Sequence, residues 1–347
     1  MKKKALLLAG LGVFALGACV QNQPATNENI ADLKAALKKE EAKSDLGYHI
    51  SGNVSLSNKV GEHAISEINL KNLDANLSFV GFPTAENNSV RGTDLQAYAS
   101  FKYTEFSMKA ADIDTYDELL YVSTTNGERH DAKFYLDDGD AYLDLSNIGI
   151  DSMRVEGENE PVSNQKMRFA GVLADTLIQV NAASSVFDSV PMMMGMSEAE
   201  FDNYVLKTAL EFKKSGDATE AIANIDAAKL RSIYVSQGLA DYYANTLPDI
   251  PEEQQNDALV AAKNTLEQGF NAMIPSFDLN LSIKYNTRGL TAISLDTNGK
   301  IVLEEEEELP QTIEFDIDLD FKVQEASIPS DFDTSGYTDY EFDFETK

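Results

Sequence analysis

Near its C-terminus the chain reads Ile313-Glu314-Phe315-Asp316-Ile317-Asp318-Leu319-Asp320-Phe321-Lys322-Val323. Strand side chains point alternately to the two faces of a sheet, so this run predicts a long antiparallel strand with one apolar and one wet face. Such a strand needs neighbours with the same one-sided pattern. Candidates are present on both sides of the chain. Tyr48, Ile50, Val54 and Leu56 share one face, as do Leu73, Ala75, Leu77 and Phe79. Leu95, Ala97, Ala99, Phe101 and Tyr103 continue the alternation, and Phe106 and Met108 resume it after a slip. A second slip at Lys71-Asn72 predicts a bulge. Asp137-Asp138-Gly139-Asp140 and Thr297-Asn298-Gly299 are turn signals, as Asp-Gly and Asn-Gly favour tight hairpins. Phe277, Leu279, Leu281, Ile283 and Tyr285 open the closing set of strands.

Between the two strand-rich parts the period is helical. Ala170, Leu173, Leu177 and Val180 form one stripe. Ser197 and Glu200 read as a capping box, followed by Phe201, Tyr204, Val205, Thr208 and Phe212 on one face. Lys213, Lys214 and Gly216 mark a stop, and helices follow through Leu230, Ile233 and Tyr234 and through Leu259, Ala262, Leu266 and Phe270. A helix is also expected over residues 30–44, on Ile30, Leu33 and Leu37. Because the strands on either side share one pattern, a single sheet built from both ends of the chain is the simplest solution. The expected class is α+β: one strongly curved antiparallel sheet, a half-barrel, with helices packed on its concave face. Its body would span residues 30–328, with a helical insert at about 165–275 and an acidic tail from 329 to 347.

The N-terminus carries a different signal. Lys2, Lys3 and Lys4 precede an apolar run from Ala5 to Leu16, too short for a permanent span of about 20 residues. Leu16-Gly17-Ala18-Cys19 follows and resembles the bacterial lipobox, with Gly17 where Ala or Ser is commoner. Cys19 is the only cysteine of the 347 residues. Residues 1–18 then read as a lipoprotein signal, Cys19 as the lipidated residue, and residues 19–29 as a tether. The expected location is the extracytoplasmic face of a bacterial cell membrane. With that lipobox, the first helix, the strand–helix–strand order and the long closing strand, the chain resembles the LolA/LolB/LppX-type envelope lipoproteins. The resemblance implies a half-barrel with a helical lid and a cavity that carries acyl chains or lipoprotein anchors.

Composition bounds the remaining choices. A net charge of −30 repels nucleic acid and anionic lipid headgroups, so the body is not expected to lie flat on an anionic membrane. No cysteine remains beyond Cys19 for disulfides, thiol catalysis or cysteine-based metal sites. His49, His63 and His130 fall in predicted strands or turns, no Gly-x-Ser-x-Gly occurs, and Ser163-x-x-Lys166 lacks its companion motifs. No catalytic residue, metal or cofactor is therefore expected. The acidic groups, residues 137–140, residues 304–308 and Asp316, Asp318 and Asp320, read as a turn and solvated strand surfaces. Met192, Met193 and Met194, with Phe187 nearby, are adaptable apolar groups. Together with Phe315 and Ile317 they are the candidates for contact with a lipid-like ligand. The alternative is a solid-cored, surface-tethered module that recognises a protein or cell-wall partner through its acidic face.

Overall fold

The computed structural model describes residues 23–84, 87–124, 128–160, 165–179, 197, 199, 201–303 and 309–340. In chain order its elements are β1 (Gln23–Pro24), α1 (Asn27–Glu41), β2 (Leu46–Val60), β3 (His63–Val80), β4 (Ser89–Arg91), β5 (Gln96–Tyr103), β6 (Glu105–Ala111), β7 (Glu118–Thr124) and β8 (His130–Asp137). There follow β9 (Asp140–Asn147), β10 (Ser152–Val155), β11 (Glu158–Asn159), β12 (Lys166–Phe169), β13 (Leu177–Gln179), β14 (Glu211–Ser215) and β15 (Ala218–Asp226). Helices α2 (Ala227–Asn245) and α3 (Glu252–Met273) lead into β16 (Ser276–Asn286), β17 (Gly289–Leu303), β18 (Gln311–Gln324) and β19 (Thr338–Asp339).

Two antiparallel meanders make one sheet. Strands β14 to β18 form the C-terminal meander, and β2 to β12 form the N-terminal one. They join where β18 pairs with β2 in unbroken register from Gln311↔Val60 to Gln324↔Gly47. The alternation around Phe315 is thus a strand with a neighbour on each side. Gly52 marks how close that joint is: with φ at +143°, an added Cβ would lie 1.8 Å from the Asp318 carbonyl oxygen.

The expected half-barrel with helices on its concave face is corrected in several respects. The sheet is 17-stranded and mixed, because β19 runs parallel to β12, and no pairing among the described residues closes it. The helices pack on the C-terminal meander, and α1 also reaches Tyr48 of β2 through Glu40. Thr26 caps α1 by accepting from the Asn29 amide, and Ile30, Leu33 and Ala36 bury against Phe212, Ala223, Ile283 and Tyr285. Helices α2 and α3, inserted between β15 and β16, bury Leu230 and Phe270 against Ile225, Phe277, Leu279 and Ile301. Burying a side chain such as Phe270 contributes about 2–3 kcal/mol. Over the N-terminal meander the apolar face of Leu95, Ala97, Leu136 and Ala141 is covered by Phe82, Val172, Leu173 and Ile178, from loops and the small β4–β13 sheet. Part of the expected helical insert is strand. Glu211–Ser215 and Ala218–Asp226 form a hairpin around Gly216, whose φ is +62°. Ala221, Ala223 and Ile225 bury on alternate positions there, a packing arrangement that overrides the helical propensity of an Ala-rich run.

The bulge expected at Lys71-Asn72 is present and belongs to a longer seam. Asn72 has φ +52°, and the β2–β3 register shifts between Gly52 and Val54. Asn53 accepts from the Asn72 amide at 3.0 Å, and Asn72 Nδ2 donates to Thr104 Oγ1 at 2.8 Å. Beyond it the sheet forks, with β5–β8–β9–β12 as one prong and β6–β7–β10–β11 as the other. His130, only 4% exposed, packs its ring against Gly149 between the prongs, and Tyr103 donates to the Ile148 carbonyl at 2.8 Å.

The tail crosses the polar face as a strap. Ser327 donates its amide to Ser78, Phe332 stacks on Tyr135 at 4.3 Å, and Tyr337 meets Tyr142 edge-on at 5.4 Å. It ends by adding β19 to β12, where Arg168 binds both Asp140 and Asp339.

Two tests follow from these contacts. Gly52→Ala is expected to cost about 3 kcal/mol or more in urea unfolding, whereas Gly269→Ala, in open space on α3, should stabilise by about 0.5–1 kcal/mol. Burial, then Asp144 and Asp333, push the Tyr337 phenol up to about 12. The unfolded phenol ionises near pH 10, so this contribution is complete below pH 10 and disappears as pH rises toward 12. Tyr337→Phe should reduce the loss of stability measured between pH 10 and 12.

Candidate functional site

The middle of the sheet carries an apolar strip. Directly paired residues of antiparallel strands share a face, which gives four rows across β18, β2, β3 and the β5–β6 pair. Phe321 faces Ile50, Ala75 and Phe101; Leu319 faces Gly52 and Leu73. Ile317 faces Val54, Leu70 and Phe106; Phe315 faces Leu56, Ile68 and Met108. The strip lies between the helix-covered core of β15–β17 and the loop-covered core of β5, β8 and β9. Ala75 is fully buried, while all its other members are partly exposed. Its length from Phe315 to Phe321 is about 20 Å, and its width across four strands is about 14 Å.

The ends of the strip differ. At one, α1 brings a polar group over the β2 backbone. Tyr48 donates to Glu40 at 3.2 Å, and Lys43 binds the other Glu40 oxygen at 2.5 Å. Burial first, then Glu40, pushes the Tyr48 phenol far above its ordinary value, so it is a neutral donor. At the other, Phe315 lies over Gly299 and meets Phe277 edge-on at 6.3 Å. A side chain at position 299 would collide with the Phe315 ring, so this glycine shapes that end of the strip.

Of the residues singled out from the sequence, Phe315 and Ile317 lie side by side in the strip. Phe187, Met192, Met193, Met194 and Cys19 lie outside the described residues. Strip members Ile50, Val54, Leu56, Phe101, Phe106, Met108, Leu319 and Phe321 were legible as strand faces but not as site residues. Alternation marks an apolar face, and it does not tell a face covered by helices from one left partly open.

The polar candidates have local roles. His49 Nε2 lies 3.1 Å from Asp74, which also binds Arg129. His63 stacks on Tyr116 at 4.1 Å. His130 lies within the seam on the opposite face from His49, so the three histidines do not converge. Asp138 and Gly139 take positive φ in a hairpin turn, and Asp140 accepts from Arg168 and the Gly171 amide. On the polar face Asp320 accepts from Ser294, and Asp316 and Asp318 line an open groove of about 520 Å³ with Asp296, Asn53 and Lys71. Among the described residues no helix is long and apolar enough to cross a membrane.

No protein-family model and no curated protein matches this sequence. Among solved structures, a beta-barrel-like protein of a domain of unknown function, DUF1849, from Brucella abortus aligns over 83% of this chain and 99% of that one. The identity is 6% and the TM-score 0.12.

One consequence of the closed end is testable. Tyr48→Phe leaves the buried Glu40 with Lys43 as its remaining partner and should cost about 1 kcal/mol in urea unfolding.

Proposed function

We propose that this protein is a lipid-anchored bacterial envelope protein that holds a hydrophobic or amphiphilic molecule against the apolar strip of β18, β2, β3 and β5–β6. The observation that carries the reading is the strip itself. Contiguous apolar surface is uncommon on a monomer unless something covers it in use, and here it lies between two filled cores. Covering it would gain about 25 cal/mol per Å². A strip about 20 Å long fits a chain-like ligand better than a compact one. The polar Glu40–Tyr48–Lys43 group at one end supplies a place for a headgroup. Cys19, behind three lysines and an apolar run, supplies the anchor, and two acyl chains on it would hold the protein stably at a membrane.

Native mass spectrometry of delipidated protein, re-exposed to a membrane extract and to a fluorescent fatty acid, tests the ligand. The expected result is a bound amphiphile, with affinity falling tenfold or more in Ile317→Asp and Val54→Asp, since a carboxylate there opposes apolar contact. Unaltered binding by both variants, or no uptake by the unmodified protein, would sink the reading. The anchor is tested apart from it, by incorporation of labelled palmitate that Cys19→Ala should abolish.

A further inference from the structure

Charge is not spread evenly over this acidic protein; on the polar face of the sheet it is sorted along the strands. The row nearest one end runs Lys213, Glu220, Lys284, Ala292, Lys322 and His49, paired across β14, β15, β16, β17, β18 and β2. Lys214 lies one residue further toward that end, and Arg288 sits in the turn joining β16 and β17. Lys39 of α1 donates to the Thr287 carbonyl of the same turn at 2.8 Å, with Lys38 beside it. All seven cations are exposed. The acids at the same end are Glu220, 3.6 Å from Lys284, Asp217 in the β14–β15 turn, Glu40, which Lys43 binds, Asp32 of α1 near Tyr285, Asp45 just before β2 and Glu325 just after β18. One row further along the strands the sign reverses, with Glu211 and Asp320; the next row has Asp296 facing Asp318, and the one after it holds Asp226, Asp278 and Asp316.

The chain's N-terminus arrives at the basic end. β1 pairs antiparallel with β14, Gln23 with Phe212 and Pro24 with Glu211. Followed backward from Gln23, the chain therefore enters from the side of Lys213 and Lys214. Four residue steps separate Cys19 from Gln23, which is at most about 14 Å of extended chain. We propose that this basic rim is a membrane-facing surface that binds anionic phospholipid headgroups and stands the strands upright on the bilayer, with the acidic rows held away from it. The occupant is chosen on two grounds. The rim's sign is opposite to that of the protein as a whole, and it lies where a short, apolar-ended segment meets the sheet. Net charge alone predicts repulsion from such a membrane. At 0.15 M salt, however, exposed charges are screened beyond about 8 Å, so a bilayer in contact with the rim responds to the rim and not to the total.

The inference draws its geometry from the lipid-anchor reading, but it is tested without the anchor. Residues 20–347 retain every described element from the Gln23–Pro24 pairing onward. This form is mixed with vesicles of phosphatidylglycerol and phosphatidylcholine, or of phosphatidylcholine alone, and bound protein is measured by flotation. Binding is expected to the anionic vesicles only, and to weaken as salt rises. Each rim cation is expected to contribute about fivefold, so the Lys213→Gln, Lys214→Gln, Arg288→Gln triple variant should lose on the order of a hundredfold. Lys59→Gln with Lys300→Gln, paired with Glu314 toward the other end of the strands, should bind as the parent does. Unfolding midpoints of both variants, compared with the parent, report whether the fold is kept. The assignment is overturned by equal binding to both vesicles, by absence of binding, or by equal loss in the control pair. It is overturned as well if the rim substitutions leave vesicle binding intact and instead abolish a crosslink to an acidic protein in cells. Palmitate labelling at Cys19 stands or falls independently of all these outcomes.

Discussion

Everything in this fold depends on the pairing of β2 with β18. Each meander alone would end in a long edge strand with an unpaired backbone and one apolar face, the arrangement that promotes association between sheets. Joined over their whole length, the two edges become the centre of one sheet. The closeness of that joint explains Gly52, where no side chain fits beside the Asp318 carbonyl. It also creates the apolar strip, since Ile317 and Val54 become neighbours only when strands far apart in sequence meet. Such long-range pairing is slow to form, because a large loop must close before any contact rewards it.

Filled and unfilled parts of the apolar side follow from where the helices enter the chain. The α2–α3 pair leaves the sheet after β15 and returns at β16, so it can reach only the strands near that gap. α1 is tied by its short link to β1 and lies over β16 and β17. At the far side, the loops around Phe82 and Leu173 fill the corresponding space. Between them the strip is out of reach of both helical groups. The bulges make the same point from the backbone side. Asn53, Asn72 and Thr104 bind one another across three strands, and beyond them the sheet divides, so the strip narrows where the seam begins.

Much of this was legible in the sequence, for physical reasons that can be named. The strands around Ile313–Val323 and Phe277–Tyr285 have apolar side chains strictly on alternate positions, and each is strand in the fold. The slip at Lys71-Asn72 is a bulge because a single extra residue shifts the period by one. The β14–β15 hairpin was misread because Ala221 and Ala223 suit a helix locally, and only packing under α1 selects the strand. The parallel addition of β19 left no periodic signal, since two residues of main-chain pairing carry no pattern. Phe315 and Ile317 could be chosen from sequence, while their partners in the strip could not. Which faces meet is set by register between strands, and register is not a local property.

Two pairings made late in the chain cover strand edges laid down early. β2 is made roughly 250 residues before β18 can pair with it, and β12 roughly 170 residues before β19. A chain ending between β12 and β18 would therefore present two open strand edges, one at the joint and one at the rim of the N-terminal meander, and one ending between β18 and β19 would present only the second. Exposed edges and loosened strands are what proteases and chaperones engage. The joint thus needs β18 and the rim of the N-terminal meander needs the strap, so two early edges are covered by two separate late elements.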